Sequence, residues 1–75
     1  MTKEKYIKRI RDLYDLLRTN SGSSRQEIRT QVFWYAAGIR EAMILISGVS
    51  LEDFDEICKV DVYRIMDGME ATYGI

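Results

Sequence analysis

From Ser24 to Gly48 the sequence reads as one uninterrupted helix, and in a chain of 75 residues every other element must pack along it. Ser24-Arg25-Gln26-Glu27 opens it as a capping box, in which the serine hydroxyl and the Glu27 carboxylate each serve an otherwise unpaired amide. Gly48 supplies the left-handed stop, so the predicted helix covers residues 25–47. At about 1.5 Å per residue such a helix is roughly 35 Å long, about the diameter of a small domain. The whole chain lacks proline, so its strongest helix breaker is absent.

The flanking sequence predicts shorter helices with their own punctuation. Thr2 caps a first helix over 3–19, in which Tyr6, Ile7, Ile10, Leu13, Tyr14 and Leu17 recur at three- and four-residue spacing. Glu4 with Lys8 and Arg11 with Asp15 are expected to pair on its wet side. Turn residues follow at 20–24. After Gly48, Ser50 caps a third helix ending near Cys58, with Val49 and Phe54 spaced as a hydrophobic staple. Asp61 then caps a fourth over 62–73, closed by Gly74 and weakened by about 1 kcal/mol at Gly68. The expectation is a single all-α domain spanning 1–75, a small bundle of three to four helices around a long apolar central helix.

That central helix has more apolar circumference than one buried face needs. Successive positions lie about 100° apart. Ile28, Val32, Tyr35, Ala36, Ile39, Ala42, Met43 and Ile46 gather in a broad core stripe. Phe33, Ala37 and Ile44 form a second row, edged by Arg29 and Arg40, and Trp34, Gly38 and Leu45 a third. A helix apolar all round is normally enclosed by protein. Either three short companions wrap it, or part of it docks on another chain. Aromatic anchors beside small residues and Arg have the composition of interface hot spots. Phe33, Trp34, Gly38, Ile44 and Leu45 are therefore the candidate partner-binding residues, and a homodimer is the simplest partner arrangement. A chain this short buries only about 60% of its unfolded surface, which makes help from a partner plausible on size alone.

Charge is unevenly spread. Residues 1–50 carry nine Lys/Arg against five Asp/Glu, a net +4, whereas 51–75 carry two against seven, a net −5. The halves can satisfy each other within one fold or pair head-to-tail with a copy. The acidic C-terminal helices are a second candidate contact surface.

Most catalytic and metal chemistry lacks its residues. Histidine is absent, so Cys58 has no imidazole base and no Cys/His zinc spacing exists. Cys58 sits among carboxylates that disfavour a thiolate, and it is expected to be a small core residue. Glu52, Asp53, Asp55 and Glu56 lack the central Gly and terminal Glu of an EF-hand, and the helix dipole accounts for acids in a first turn. Glycine-rich phosphate loops, G-x-S-x-G and C-x-x-C are missing. Neither a secretory h-region nor an apolar run of about 20 residues occurs. These features point to a non-enzymatic, cofactor-free protein of the cytoplasm, with no membrane segment.

Residues 51–73 have the outline of a helix-turn-helix, with Phe54 and Cys58 before a Lys59-Val60-Asp61 turn and Ile65 after it. The turn lacks glycine, Asp55 stands where a small apolar residue packs, and Asp61, Asp67 and Glu70 against Arg64 alone would repel phosphate. DNA binding is thus the alternative function, and nucleic acid is not the expected partner.

The segments MTKEKYIKRIR and FWYAAGIRE resemble the opening and the Phe-x-x-Ala-Ala…Arg segment of Hha/YmoA-type nucleoid modulators. That resemblance implies a small helical protein acting through a DNA-binding partner. It covers about a quarter of the chain. Gly38-Ile39 replaces the Asp-His that follows Ala-Ala in that family, the C-terminal third differs, and no functional residue is carried over. The expectation overall is a small interaction module, a homodimeric regulator or inhibitor of a protein target. Its size and charge also fit inhibitors carried by phages or mobile elements.

Overall fold

The computed structural model describes residues 1–20, 22–45 and 48–74. Four helices follow one another, α1 (Lys3–Asn20), α2 (Arg25–Leu45), α3 (Leu51–Cys58) and α4 (Val62–Tyr73), and no strand occurs among the described residues. The predicted punctuation is in place. The Lys5 amide donates to Thr2 Oγ1, the Glu27 amide to Ser24 Oγ, and the Ser24 amide to Glu27 Oε1. Ser50 and Asp61 likewise accept from the amides of Asp53 and Arg64. Gly48 and Gly74 take φ values of +98° and +74°, left-handed geometry in which a side chain would be strained. Residues 46 and 47, the predicted end of the second helix, lie outside the described residues.

α1 and α2 form an antiparallel hairpin, with Tyr6 beside Ala36 at one end and Tyr14 beside Arg25 and Arg29, through Glu70, at the other. α4 lies across the second end, antiparallel to α2, since Tyr63 meets Phe33 and Asp67 meets Arg29. α3 packs on both hairpin helices, whereas α3 and α4 do not pack on each other. Tyr6, Ile10 and Tyr14 of α1, Ile28, Val32, Ala36 and Met43 of α2, Ile57 of α3, and Val62 and Met66 of α4 make up the core. Partly buried Val49 and Phe54 pack against it, the positions read as a staple.

The fold is thus a small all-α bundle, but α2 is not an axle wrapped by its neighbours. α1 and α2 share the centre, each packing on all three other helices. The molecule measures 37 × 19 × 15 Å, too thin for protein on every side of a helix whose diameter with side chains is about 10–12 Å.

This flatness corrects several expectations. Tyr35 and Ala42, placed in the core stripe, are exposed, because they sit at the margin of a face that meets a single layer. Cys58 is exposed rather than buried, because its neighbour Ile57 fills the one core position that so short a helix offers. On α1, Lys8 pairs with Asp12 at 2.7 Å instead of Glu4, and Asp15 pairs with Arg18 instead of Arg11. The second exchange has a tertiary cause. The Tyr73 hydroxyl donates to Asp15 Oδ1 at 2.9 Å, and the Arg18 guanidinium lies 3.8 Å over the Tyr73 ring, so α4 draws both α1 side chains toward itself.

Candidate functional site

Two side-chain clusters stand out, and they are opposite in character. The first is a buried carboxylate. Glu70 of α4 is only 3% exposed. Its Oε2 accepts from the Tyr14 hydroxyl at 2.6 Å and from Arg25 Nε at 2.9 Å. Its Oε1 accepts from the terminal nitrogens of Arg25 at 3.0 Å and Arg29 at 2.6 Å. Arg29 also reaches Asp67 at 2.9 Å. A fork of this kind matches carboxylate geometry and satisfies most of its lone pairs. Burial alone would raise the Glu70 carboxyl, but the Arg25 and Tyr14 hydrogen bonds and both arginine charges hold it below the usual carboxylate range. Burial and the bond to Glu70 push the Tyr14 hydroxyl up to about 12. No buried side-chain polar atom is left without a partner among the described residues. The cluster joins the basic start of α2 to the acidic α4, so here the two oppositely charged halves satisfy each other. With both Glu70 oxygens engaged, it is a clasp that ties α1, α2 and α4 together.

The second is the outward face of α2. Trp34, the single tryptophan, is 66% exposed and Leu45 is 86% exposed, while Gly38 between them has nothing within 4 Å of where a Cβ would sit. All three lie opposite the core positions Ile28, Val32, Ala36 and Met43, because steps of three and four residues return to one side of a helix. Ile44 is 69% exposed on the flank, and Leu51, at the first turn of α3, is 87% exposed. Phe33 is the one candidate turned partly inward. Its ring stacks on Tyr63 of α4 at 5.3 Å and meets Trp34 edge-on at 5.4 Å. Arg29, anchored by Glu70, stands 5.6 Å from the Tyr63 ring. The clasp therefore backs one edge of the aromatic patch.

Of the five residues picked out from sequence, Trp34, Gly38 and Leu45 share the open side of α2, Ile44 is exposed on its flank, and Phe33 meets Trp34 edge-on. Sequence reasoning missed Tyr35 and Leu51 as exposed apolar groups, and Tyr63 as the ring that holds Phe33. Leu51 had a signal, since a residue immediately after an N-cap on an eight-residue helix need not share that helix's core face. The partnership of Tyr63 had none, because it depends on how α4 crosses α2.

The helix-turn-helix outline at 51–73 corresponds to α3 and α4. Both of these helices rest on the α1–α2 hairpin. An open groove of about 470 Å³ runs between α1 and α4, with Ile65, Gly68 and Met69 at its floor and Arg11, Asp12, Asp15 and Arg64 on its rim. Two of the rim acids are committed, Asp12 to Lys8 and Asp15 to Arg18 and Tyr73. Among the described residues no cluster of three or more Cys, Asp or Glu could hold a metal ion, and no helix is long and apolar enough to cross a membrane. No protein-family model, curated protein or solved structure matches the chain, so the resemblance to Hha/YmoA-type proteins rests on the two quoted segments alone.

Proposed function

We propose that this protein is a non-enzymatic protein-interaction module, a homodimer that regulates or inhibits a protein target by docking it. The carrying observation is the exposure of Trp34 and Leu45 on the outward row of α2. Large apolar groups concentrated on one face of a small domain mark contact sites, whereas scattered single ones need no explanation. Trp and Tyr are the commonest anchors of binding energy, and Phe33 held against Tyr63 gives Trp34 a rigid base. In the clasp, the Glu70 carboxylate is engaged by Tyr14, Arg25 and Arg29. A regulator confined to the cytoplasm agrees with a free, exposed cysteine.

The test is a photo-crosslinking amino acid at position 34, introduced in the native host, with the same group at Lys8 on the solvated side of α1 as control. Covalent adducts to a defined protein at position 34 and not at Lys8 are expected. Absence of any adduct at 34, to itself or another protein, would sink the proposal. Binding to arbitrary duplex DNA that weakens steeply with salt would instead favour the helix-turn-helix alternative.

A further inference from the structure

We infer that the groove between α1 and α4 receives an acidic amphipathic helix of a partner protein, its carboxylates on Arg11 and Arg64 and its apolar side chains on Ile65 and Met69. This face is distinct from the outward row of α2, and the docking proposed for Trp34 does not depend on it.

Charge complementarity fixes the sign of the occupant. Arg11 on the α1 wall and Arg64 on the α4 wall both line the groove and are exposed, and among the described residues neither guanidinium has an ion-pair or hydrogen-bond partner. The nearby acids are engaged elsewhere. Asp12 is held by Lys8 at 2.7 Å, and Asp15 by Arg18 at 3.2 Å and the Tyr73 hydroxyl at 2.9 Å. On α4, Glu70 is buried under Arg25 and Arg29, Asp67 pairs with Arg29, and Asp61 caps the helix. So α4 shows its carboxylates to α2 and its single arginine to the groove. Two uncompensated cations on one groove raise its affinity for an anion.

The floor supplies the apolar half. Ile65 and Met69, one turn apart on α4, are half-buried against the core and line the groove with their remaining surface. Between them Gly68 has nothing within 4 Å of where a Cβ would sit, which leaves room for an incoming side chain. A phosphate backbone gains nothing from such a floor, and Asp12 and Asp15 on the rim would repel its closely spaced charges. A small molecule in so open a groove would keep much of its surface in water, whereas ligand pockets cover most of theirs. Extended peptides are usually taken up by a sheet edge, and no strand occurs among the described residues. A helix laid along the groove sets apolar residues at i and i+4 on the floor and acidic residues against both walls.

The experiment titrates isotope-labelled protein with a designed helical peptide of roughly 14 residues, in which Leu at i, i+4 and i+7 is flanked by Glu, and follows the backbone amide signals. A second peptide has every Glu replaced by Lys. The acidic peptide should move the signals of Arg11, Ile65, Gly68 and Met69, and the Lys peptide should bind about tenfold more weakly. Arg11→Gln and Arg64→Gln, both at exposed positions, should each weaken the acidic peptide about threefold. Arg11→Glu with Arg64→Glu should reverse the preference to the Lys peptide. Gly68→Leu fills the floor and should abolish binding while circular dichroism shows unchanged helix content. Equal binding of the two peptides, signals that move around Trp34 instead of the groove, or no movement at millimolar peptide overturns the assignment. Salt-sensitive movement of the same signals by duplex DNA, with no response to the peptide, overturns it in favour of phosphate.

Discussion

The two ends of α2 solve opposite problems. At its start, Arg25 and Arg29 meet Glu70, Asp67 and Tyr14 in a network with no unsatisfied buried atom, and α1, α2 and α4 are tied together there. Toward its end, Ile44 and Leu45 stand open, as does Leu51 at the start of α3, and no polar clasp occurs there among the described residues. The first region spends polar groups on internal closure, and its energy depends on every partner being present. The second keeps apolar surface in water, which adds nothing to the stability of the fold. One end of the longest helix is thus closed by polar pairing, and the other is left open to water.

The sharpest way to break this contrast is to remove Glu70. Glu70→Ala leaves Arg29, whose side chain is 13% exposed, facing only Asp67, and the clasp loses its acceptor. Breaking a buried pair costs about 3–5 kcal/mol, and the half-exposed Arg25 places this case near the low end. A loss of about 3 kcal/mol should lower the melting midpoint by more than about 10 °C in calorimetry.

Tyr14→Phe is the next step down. It deletes one charge-assisted bond while three remain, so about 1.5 kcal/mol should be lost in urea unfolding. Burial of Tyr14, together with the same bond, contributes to the pH response. The Tyr14 hydroxyl is raised in the fold, from 10.0 to about 12. Its contribution is therefore complete below pH 10 and disappears as pH rises toward 12. The Glu70 carboxyl is lowered, so its contribution is present above the ordinary carboxylate value and is lost as pH falls through the folded one. Melting curves against pH should decline at both extremes, and Tyr14→Phe should flatten the alkaline limb. An unchanged alkaline limb in that variant would show that the clasp is not what titrates there.

Gly68→Ala acts away from both clusters, on the open groove side of α4. A Cβ there meets nothing within 4 Å, so the variant should gain about 0.5–1 kcal/mol. The smallest effect belongs to the open end. Leu45→Ser and Leu51→Ser should change the stability of the lone chain by less than about 0.5 kcal/mol, since neither side chain is buried. A loss of 2 kcal/mol in dilute solution would mean that this end is closed after all, and the contrast would fail.

Helix boundaries were legible because they rest on local chemistry. Serine, threonine and aspartate caps, the Ser24–Glu27 box and left-handed glycines act within a few residues, and each stands where the spacing placed it. The core of α1 was legible for a related reason, since its apolar stripe is narrow and unambiguous. The candidate surface was only half legible. Trp34, Gly38, Ile44 and Leu45 fell outside the core stripe by helical phase alone, but the same phase put Tyr35 and Ala42 inside it, and they are exposed.

The amino-acid order by itself determined where each helix begins, where α3 and α4 end, and that α2 carries more apolar surface than one face can bury. Both follow from groups that neighbour one another along the chain or return to one side within a turn. Only the tertiary structure decided which of those apolar rows stays in water, that Ile57 and not Cys58 enters the core, and that Glu70 becomes a buried acceptor for residues more than forty positions away. Those outcomes depend on how α3 and α4 each pack on both hairpin helices, and no local spacing encodes where on the hairpin they land.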